Sequence, residues 1–246
     1  METALKQKGI NQTTLKYIAI TTMLIDHIAW AFVNSTSILG IIMHMTGRLT
    51  APIMCFGIVQ GYLHTRSLNR YIGRMAVFAV ISNFAFSYFE TGRFGFFPFG
   101  VIYTLLLALL AIIVYDRAGN PVLKWGGIVG LCVLSIIGDW MFFVIVFTLI
   151  FYIYRDNFRK QCVGIVMTTI IMTGLMIVLM TTVGEASLGA AILENVYLMG
   201  IVFSLVAIKQ YNGERGGSKR SGWFFYAFYP VHLVVLGVLR YVVIGG

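Results

Sequence analysis

Tyr17-Ile18-Ala19-Ile20-Thr21-Thr22-Met23-Leu24-Ile25-Asp26-His27-Ile28-Ala29-Trp30-Ala31-Phe32-Val33 decides how the rest of this chain is read. Every side chain in the run is apolar or uncharged except an adjacent Asp and His. An apolar stretch of this length is a membrane-helix candidate. In that setting an Asp at the helix centre costs about 2.5–3.5 kcal/mol on insertion scales, so the pair Asp26–His27 is a candidate for function.

The rest of the chain supports a membrane setting. Of 246 residues, 59% are hydrophobic and 11% charged, against about 25% charged in a soluble domain. A water-soluble fold of this size could not bury that much apolar surface. The 19 Phe and 13 Tyr suit helices that cross interfaces. The expected class is an all-α polytopic bundle forming one domain over residues 1–246. Nine apolar segments stand out, at about 17–33, 49–63, 71–88, 98–115, 124–137, 139–154, 161–183, 189–208 and 223–243. The fifth and sixth are separated only by Gly138 and have a re-entrant hairpin as their alternative.

The net charge of +9 follows the topology. With the N-terminus in the cytoplasm, nine crossings place all but Arg48, Arg93 and Arg240 of the 18 basic residues inside, Lys6 and Lys8 among them. This is the asymmetry of the positive-inside rule, and it predicts a C-terminus outside. No basic run with interleaved aromatics forms a nucleic-acid module, so no nucleic-acid partner is expected. Met1–Lys16 is polar and the apolar run that follows lacks a small-residue cleavage site, so the first helix is expected to stay as a signal anchor. Cys55, Cys132 and Cys162 are scattered and suggest neither disulfides nor a metal. Gly57/Gly61 and Gly126/Gly130 have the spacing of close helix contacts. Pro230 falls inside the last helix and removes a hydrogen bond to the carbonyl of Tyr226.

On this topology most buried polar groups collect toward the outer leaflet. Asp26 and His27 lie in the outer half of helix one. Adjacent helical residues point about 100° apart, so one is expected to meet another helix while the other faces a cavity. A hydrogen-bonded packing pair is the structural alternative. Arg48 starts helix two, Asp139 opens helix six or marks a tight turn, and Glu194 pairs with Arg48 or Arg240 or takes part in chemistry. His44 is read as an interfacial loop histidine. Arg93 and Arg240 suit headgroup contacts, and Glu90 and Glu185 suit solvated loops. On the inner side, His64 ends helix two and is followed by Arg66, Arg70 and Arg74.

Several short motifs, in order, resemble the TraX family of integral membrane proteins. They are Tyr17–Ile28 as quoted, Thr46-Gly47-Arg48-Leu49-Thr50-Ala51-Pro52-Ile53, Gln60-Gly61-Tyr62-Leu63-His64-Thr65-Arg66, Tyr71-Ile72-Gly73-Arg74 and Ile81-Ser82-Asn83. Tyr211-Asn212-Gly213-Glu214-Arg215-Gly216 and Phe224-Phe225-Tyr226-Ala227-Phe228-Tyr229-Pro230-Val231-His232-Leu233 close the series. The stretch 120–205 is only generically hydrophobic.

The resemblance implies a bacterial cell-membrane acyltransferase that takes an acyl group, acetyl above all, from acyl-CoA. It also implies a catalytic role for His27. Asp26 then supports His27, and Arg48, Asp139, Glu194, Tyr229 and His232 attend the substrate. His64, Arg66, Arg70 and Arg74 would hold the phosphates of CoA, and no metal is needed. The lipid bilayer is one partner, and the acceptor is a pilin, a glycan, a lipid or a small molecule. An acyltransferase of this kind should have a cavity joining His27 to the basic end. The competing readings are a transporter with a polar path through Asp26, His27, Glu194 and His232, and a non-catalytic assembly protein.

Overall fold

The computed structural model describes residues 9–217, 219–243 and 245, without the side chains of 219–222. Lys6 and Lys8, counted in the charge balance, lie outside the described residues, as do the side chains of Lys219 and Arg220. The helices are α1 (Gln12–Phe32), α2 (Ile38–Gly47), α3 (Thr50–His64), α4 (Leu68–Thr91), α5 (Val101–Arg117) and α6 (Pro121–Ser135). They continue with α7 (Phe143–Ile153), α8 (Phe158–Thr182), α9 (Leu188–Asn195), α10 (Gly200–Lys209) and α11 (Lys219–Val238). A 3-10 turn, Val196–Met199, joins α9 to α10, and a π-helical turn, Leu239–Val243, follows α11. Among the described residues there is no strand.

Because α2 runs on into α3, and α9 into α10, these helices make nine traverses, the polytopic bundle expected from the sequence. Five are long and apolar enough to cross a membrane: Ile38–His64, Leu68–Thr91, Phe158–Thr182, Leu188–Lys209 and Trp223–Val243. Helices α6 and α7 are shorter, at 15 and 11 residues, and a loop over 136–142 separates them.

Two expected boundaries move. The second traverse begins at Ile38 rather than near 49, because the Ser37 side chain accepts a hydrogen bond from Gly40 N at 3.0 Å and starts a helix there. Its break at Gly47–Leu49 separates α2 from α3. Asp139 does not open a helix but lies in the 136–142 loop, whose Asp139 N donates to Phe99 O at 2.8 Å.

Local chemistry sets the other helix starts. Asn11 caps α1 by accepting from Thr14 N at 2.9 Å, and Asn157 caps α8 through Lys160 N at 3.0 Å. Asn120 caps α6, with Pro121 in the first turn, where its missing N–H is harmless. Phe143, Phe147 and Phe151 recur every four residues along α7 and are fully buried. With Leu105, Leu109 and Ile112 of α5, which α7 packs against, they form a dry core. Helix α8 keeps Val163, Met167, Ile170, Ile171, Leu175 and Val178 exposed, a face suited to lipid.

Inside a bilayer, helices associate through close packing rather than a hydrophobic force, so small residues mark the tightest contacts. Of the four glycines with GxxxG spacing, only Gly61 marks such a contact. Gly57, Gly126 and Gly130 face no atom within 4 Å, whereas Gly127 meets Val114 and Gly61 meets Tyr71. The tightest crossing is Gly200, where an added Cβ would strike the Met45 carbonyl. Gly200→Ala is therefore expected to cost about 1–3 kcal/mol through overpacking. A lower thermal midpoint in detergent would register it, and an unchanged midpoint would refute the close approach.

The two ends of the bundle differ in charge. The start of α1 docks on the α10–α11 turn through Ile10 N to Gln210 O at 2.8 Å and Gln12 N to Glu214 O at 2.9 Å. At the same end Tyr62 and Tyr152 each donate to the Asp116 carboxylate at 2.6 Å, tying α3, α5 and α7 together. Arg66, Arg70, Arg117, Arg155, Lys209 and Arg215 belong to this end by topology. Arg48, Arg93 and Arg240 lie in the opposite half.

Candidate functional site

Four helices assemble the polar cluster: α1, α2 with the α2–α3 junction, α4 and α11. Helix α1 packs against α2, α3 and α11, and α11 packs along α4. Because Asp26 and His27 are adjacent on α1, their side chains leave the helix in different directions and meet different partners.

Asp26 turns toward the second traverse. Its Oδ1 accepts from His44 Nδ1 at 2.8 Å, and its carboxylate accepts from Arg48 Nη2 at 3.2 and 3.3 Å. All three residues are buried. Gly47 makes the approach possible, since a Cβ there would collide with the Asp26 side chain. The Arg48 guanidinium also stacks on Trp140 and Tyr197, at 5.0 and 4.9 Å from their ring centroids. The aromatic faces and the carboxylate together stabilise a cation that burial would otherwise penalise.

His27 turns toward α11. Its Nδ1 lies 2.9 Å from His232 Nε2, and His232 Nδ1 lies 2.8 Å from Phe228 O. The carbonyl can only accept, so His232 Nδ1 carries a proton. With His232 neutral, its Nε2 accepts from His27 Nδ1–H, and the lone pair of His27 falls on Nε2. No described residue hydrogen-bonds to that nitrogen. The ring is held edge-on against Phe89, centroids 5.3 Å apart, and Tyr229 lies 6.4 Å away.

The same half of the bundle holds enclosed polar atoms without hydrogen-bond partners: Arg48 Nε, Ser82 Oγ, Glu90 Oε1 and the Tyr229 hydroxyl. The Tyr229 hydroxyl packs over Gly100 and approaches the Val101 amide without reaching hydrogen-bond geometry. Such orphans are rare in folded proteins and call for a reason. Below them, Asn83 Nδ2 donates to Phe96 O and its Oδ1 accepts from Gly100 N at 3.2 Å, which fixes the 92–100 loop. On the other side of Arg48, Trp140 and Met141 have φ of 63° and 44°. Bulky residues seldom adopt that left-handed conformation, and such strain concentrates at functional sites.

The sequence expectations fare unevenly. Asp26, His27, Arg48, Tyr229 and His232 gather here, with Asp139 within electrostatic range of Arg48. Asp26, however, makes no hydrogen bond to His27; its carboxylate bonds to His44 and Arg48, and the hydrogen-bond partner of His27 is His232. Glu194 is half-buried beside this half and forms no ion pair with Arg48, Arg240 or any other described residue. His44 is a buried helical residue and not a loop histidine. The apolar run Ile38–Met43 behind the polar Asn34–Ser37 was the signal for that helix. Trp140 and Tyr197, as the stacking partners of Arg48, carried no sequence signal. His64, Arg66, Arg70 and Arg74 are all exposed at the opposite, basic end. Two cavities are lined elsewhere, one by Ile42, Met45, Thr46, Leu49 and Phe203 and one at the basic end, and neither reaches His27.

Comparison with known proteins bears out the family resemblance. The TraX protein family matches residues 11–240. The probable fimbrial assembly protein FimC, serogroup H1, of Dichelobacter nodosus is 29% identical over 230 residues, covering 90% of this chain and 92% of that protein. No solved structure matches.

Proposed function

This chain belongs to the TraX family, and on that premise we propose that it is a cell-membrane acyltransferase moving an acetyl group from acetyl-CoA to an amine or hydroxyl. The observation that carries this reading is the hydrogen-bonded chain Phe228 O, His232, His27, which leaves His27 with an unprotonated Nε2. A fixed imidazole with a free lone pair suits a general base.

In this reading the acceptor's N–H or O–H gives its proton to His27 Nε2 as its heteroatom attacks the thioester carbonyl. The negative charge that forms on the carbonyl oxygen needs donors already in place. The enclosed Tyr229 hydroxyl is suited to that role, and the Arg48–Asp26–His44 group supplies a positive potential nearby. Collapse breaks the carbon–sulfur bond, and the His27 imidazolium returns its proton to the departing CoA thiolate. His64, Arg66, Arg70 and Arg74, exposed at the basic end, are suited to the phosphates of CoA. Access to Nε2 then has to come from the side of His27 away from His232, because parting α11 from α1 would break the hydrogen bond that fixes the ring.

The name of the FimC relative, a fimbrial assembly protein, favours a fimbrial subunit as acceptor over a glycan or free lipid. The test is to reconstitute the purified protein in liposomes with labelled acetyl-CoA and a fimbriated membrane extract. Protein-dependent CoA release and a subunit heavier by one acetyl group are expected. No turnover with any acceptor, together with no acetyl-CoA binding, would leave a transporter or an assembly scaffold instead.

A further inference from the structure

At the basic end, far from His27, a cavity of about 430 Å³ opens between the ends of α3, α8 and α10. Its exposed rim carries Arg155 and Lys209, and Gln60, Gln161, Phe56, Phe158, Ile208 and Tyr211 line it. The polar groups are only partly used within the protein. Gln161 is buried and gives its Nε2 to Tyr154 O at 3.0 Å, which orients the amide. Arg155 donates to Tyr152 O at 3.3 Å and holds Asp156 only at 3.8 Å, leaving donors free. Lys209 and the Gln60 side chain have no hydrogen-bond partner among the described residues.

We propose that this cleft is a binding site for the phosphate group of an anionic glycerophospholipid. The exposed cations Arg155 and Lys209 stand beside an apolar wall in which Phe56, one turn inside Gln60, meets Tyr211 edge-to-face at 5.3 Å. A free anion would leave those aromatic walls uncovered, and a zwitterionic lipid would bring its own cation toward Arg155 and Lys209. A lipid with net negative charge satisfies both the cations and the wall, with its phosphate on the rim and its glycerol and first methylenes on the rings. Basic pockets between membrane helices select anionic headgroups in this way. The exposed apolar face of α8 beside the cleft gives the acyl chains a path to the bilayer. None of these residues contacts the His27 cluster, so the site stands or falls independently of acyl transfer.

The test is native mass spectrometry of delipidated protein in neutral detergent. The protein is titrated with phosphatidylglycerol, with phosphatidylcholine, and with phosphatidylglycerol in the presence of inorganic phosphate. One phosphatidylglycerol is expected to bind more tightly than phosphatidylcholine. Arg155→Gln with Lys209→Gln should weaken it by about tenfold, each cation near a headgroup being a modest contributor. Lys209→Gln alone alters an exposed side chain and should give an intermediate loss, so a folding defect cannot stand in for the effect. Equal binding of the two lipids would overturn the proposal, as would a double variant that binds like the parent. Displacement by millimolar inorganic phosphate would assign the cleft to a soluble phosphate ester and overturn it as well.

Discussion

Asp26→Ala is expected to destabilise the bundle by about 3–5 kcal/mol, the usual cost of breaking a buried ion pair from one side. Asp26 is 8% exposed, and its carboxylate is the only acceptor within reach of both His44 Nδ1 and Arg48 Nη2 among the described residues. Removing it leaves a guanidinium inside the bundle with two aromatic faces and only Asp139, to which it makes no hydrogen bond, as counter-charge. Against net stabilities of about 5–15 kcal/mol the loss is severe. It should appear as a large fall in the thermal midpoint in detergent and poor recovery of folded protein. The mechanism has a sharper consequence. If the damage comes from the stranded cation, then Asp26→Ala combined with Arg48→Met should recover most of the loss, because an apolar pair of similar volume replaces an ion pair at little cost. Recovery would not follow if Asp26 mattered only for its shape against Gly47. A single variant as stable as the parent would contradict the buried pair itself.

The two largest features of this protein were legible for different reasons. Nine traverses could be read because apolar runs and basic residues alternate along the chain, and both signals are local. The second traverse was cut short because Met45–Leu49 contains a Gly and an Arg and looks like a loop. That Arg belongs inside because Asp26 neutralises it, a contact between positions 22 residues apart. The site was legible in membership but not in pairing. An Asp and a His in an apolar run announce themselves by their insertion cost. Which neighbour each meets depends on how α2 and α11 rotate against α1. His44 went unrecognised because its role appears only once Asp26 is seen to face it. The glycine pairs were legible only at Gly61, which meets Tyr71: spacing marks a small-residue face, but whether another helix or lipid covers that face is a property of the whole bundle.

The catalytic reading makes its strongest demand on His27 and His232 taken together. His27→Ala is expected to lower the rate of acetyl transfer by about 10²–10⁴-fold, the range assigned to a positioned general base. His232 would act differently, since its Nε2 touches only His27 and its proton goes to Phe228 O. It is a positioning residue. His232→Ala removes one hydrogen bond from His27 and frees the ring to place its proton on Nε2. The expected loss is about 5- to 100-fold, carried in kcat with little change in KM for acetyl-CoA. His232→Gln can still accept from His27 Nδ1–H through its amide oxygen, and should restore much of the rate. A purely structural role for His232 predicts another order, in which Gln is as harmful as Ala and every loss follows thermal stability. Full activity in His27→Ala would remove the base from the mechanism and, with it, the tautomer argument on which the reading rests.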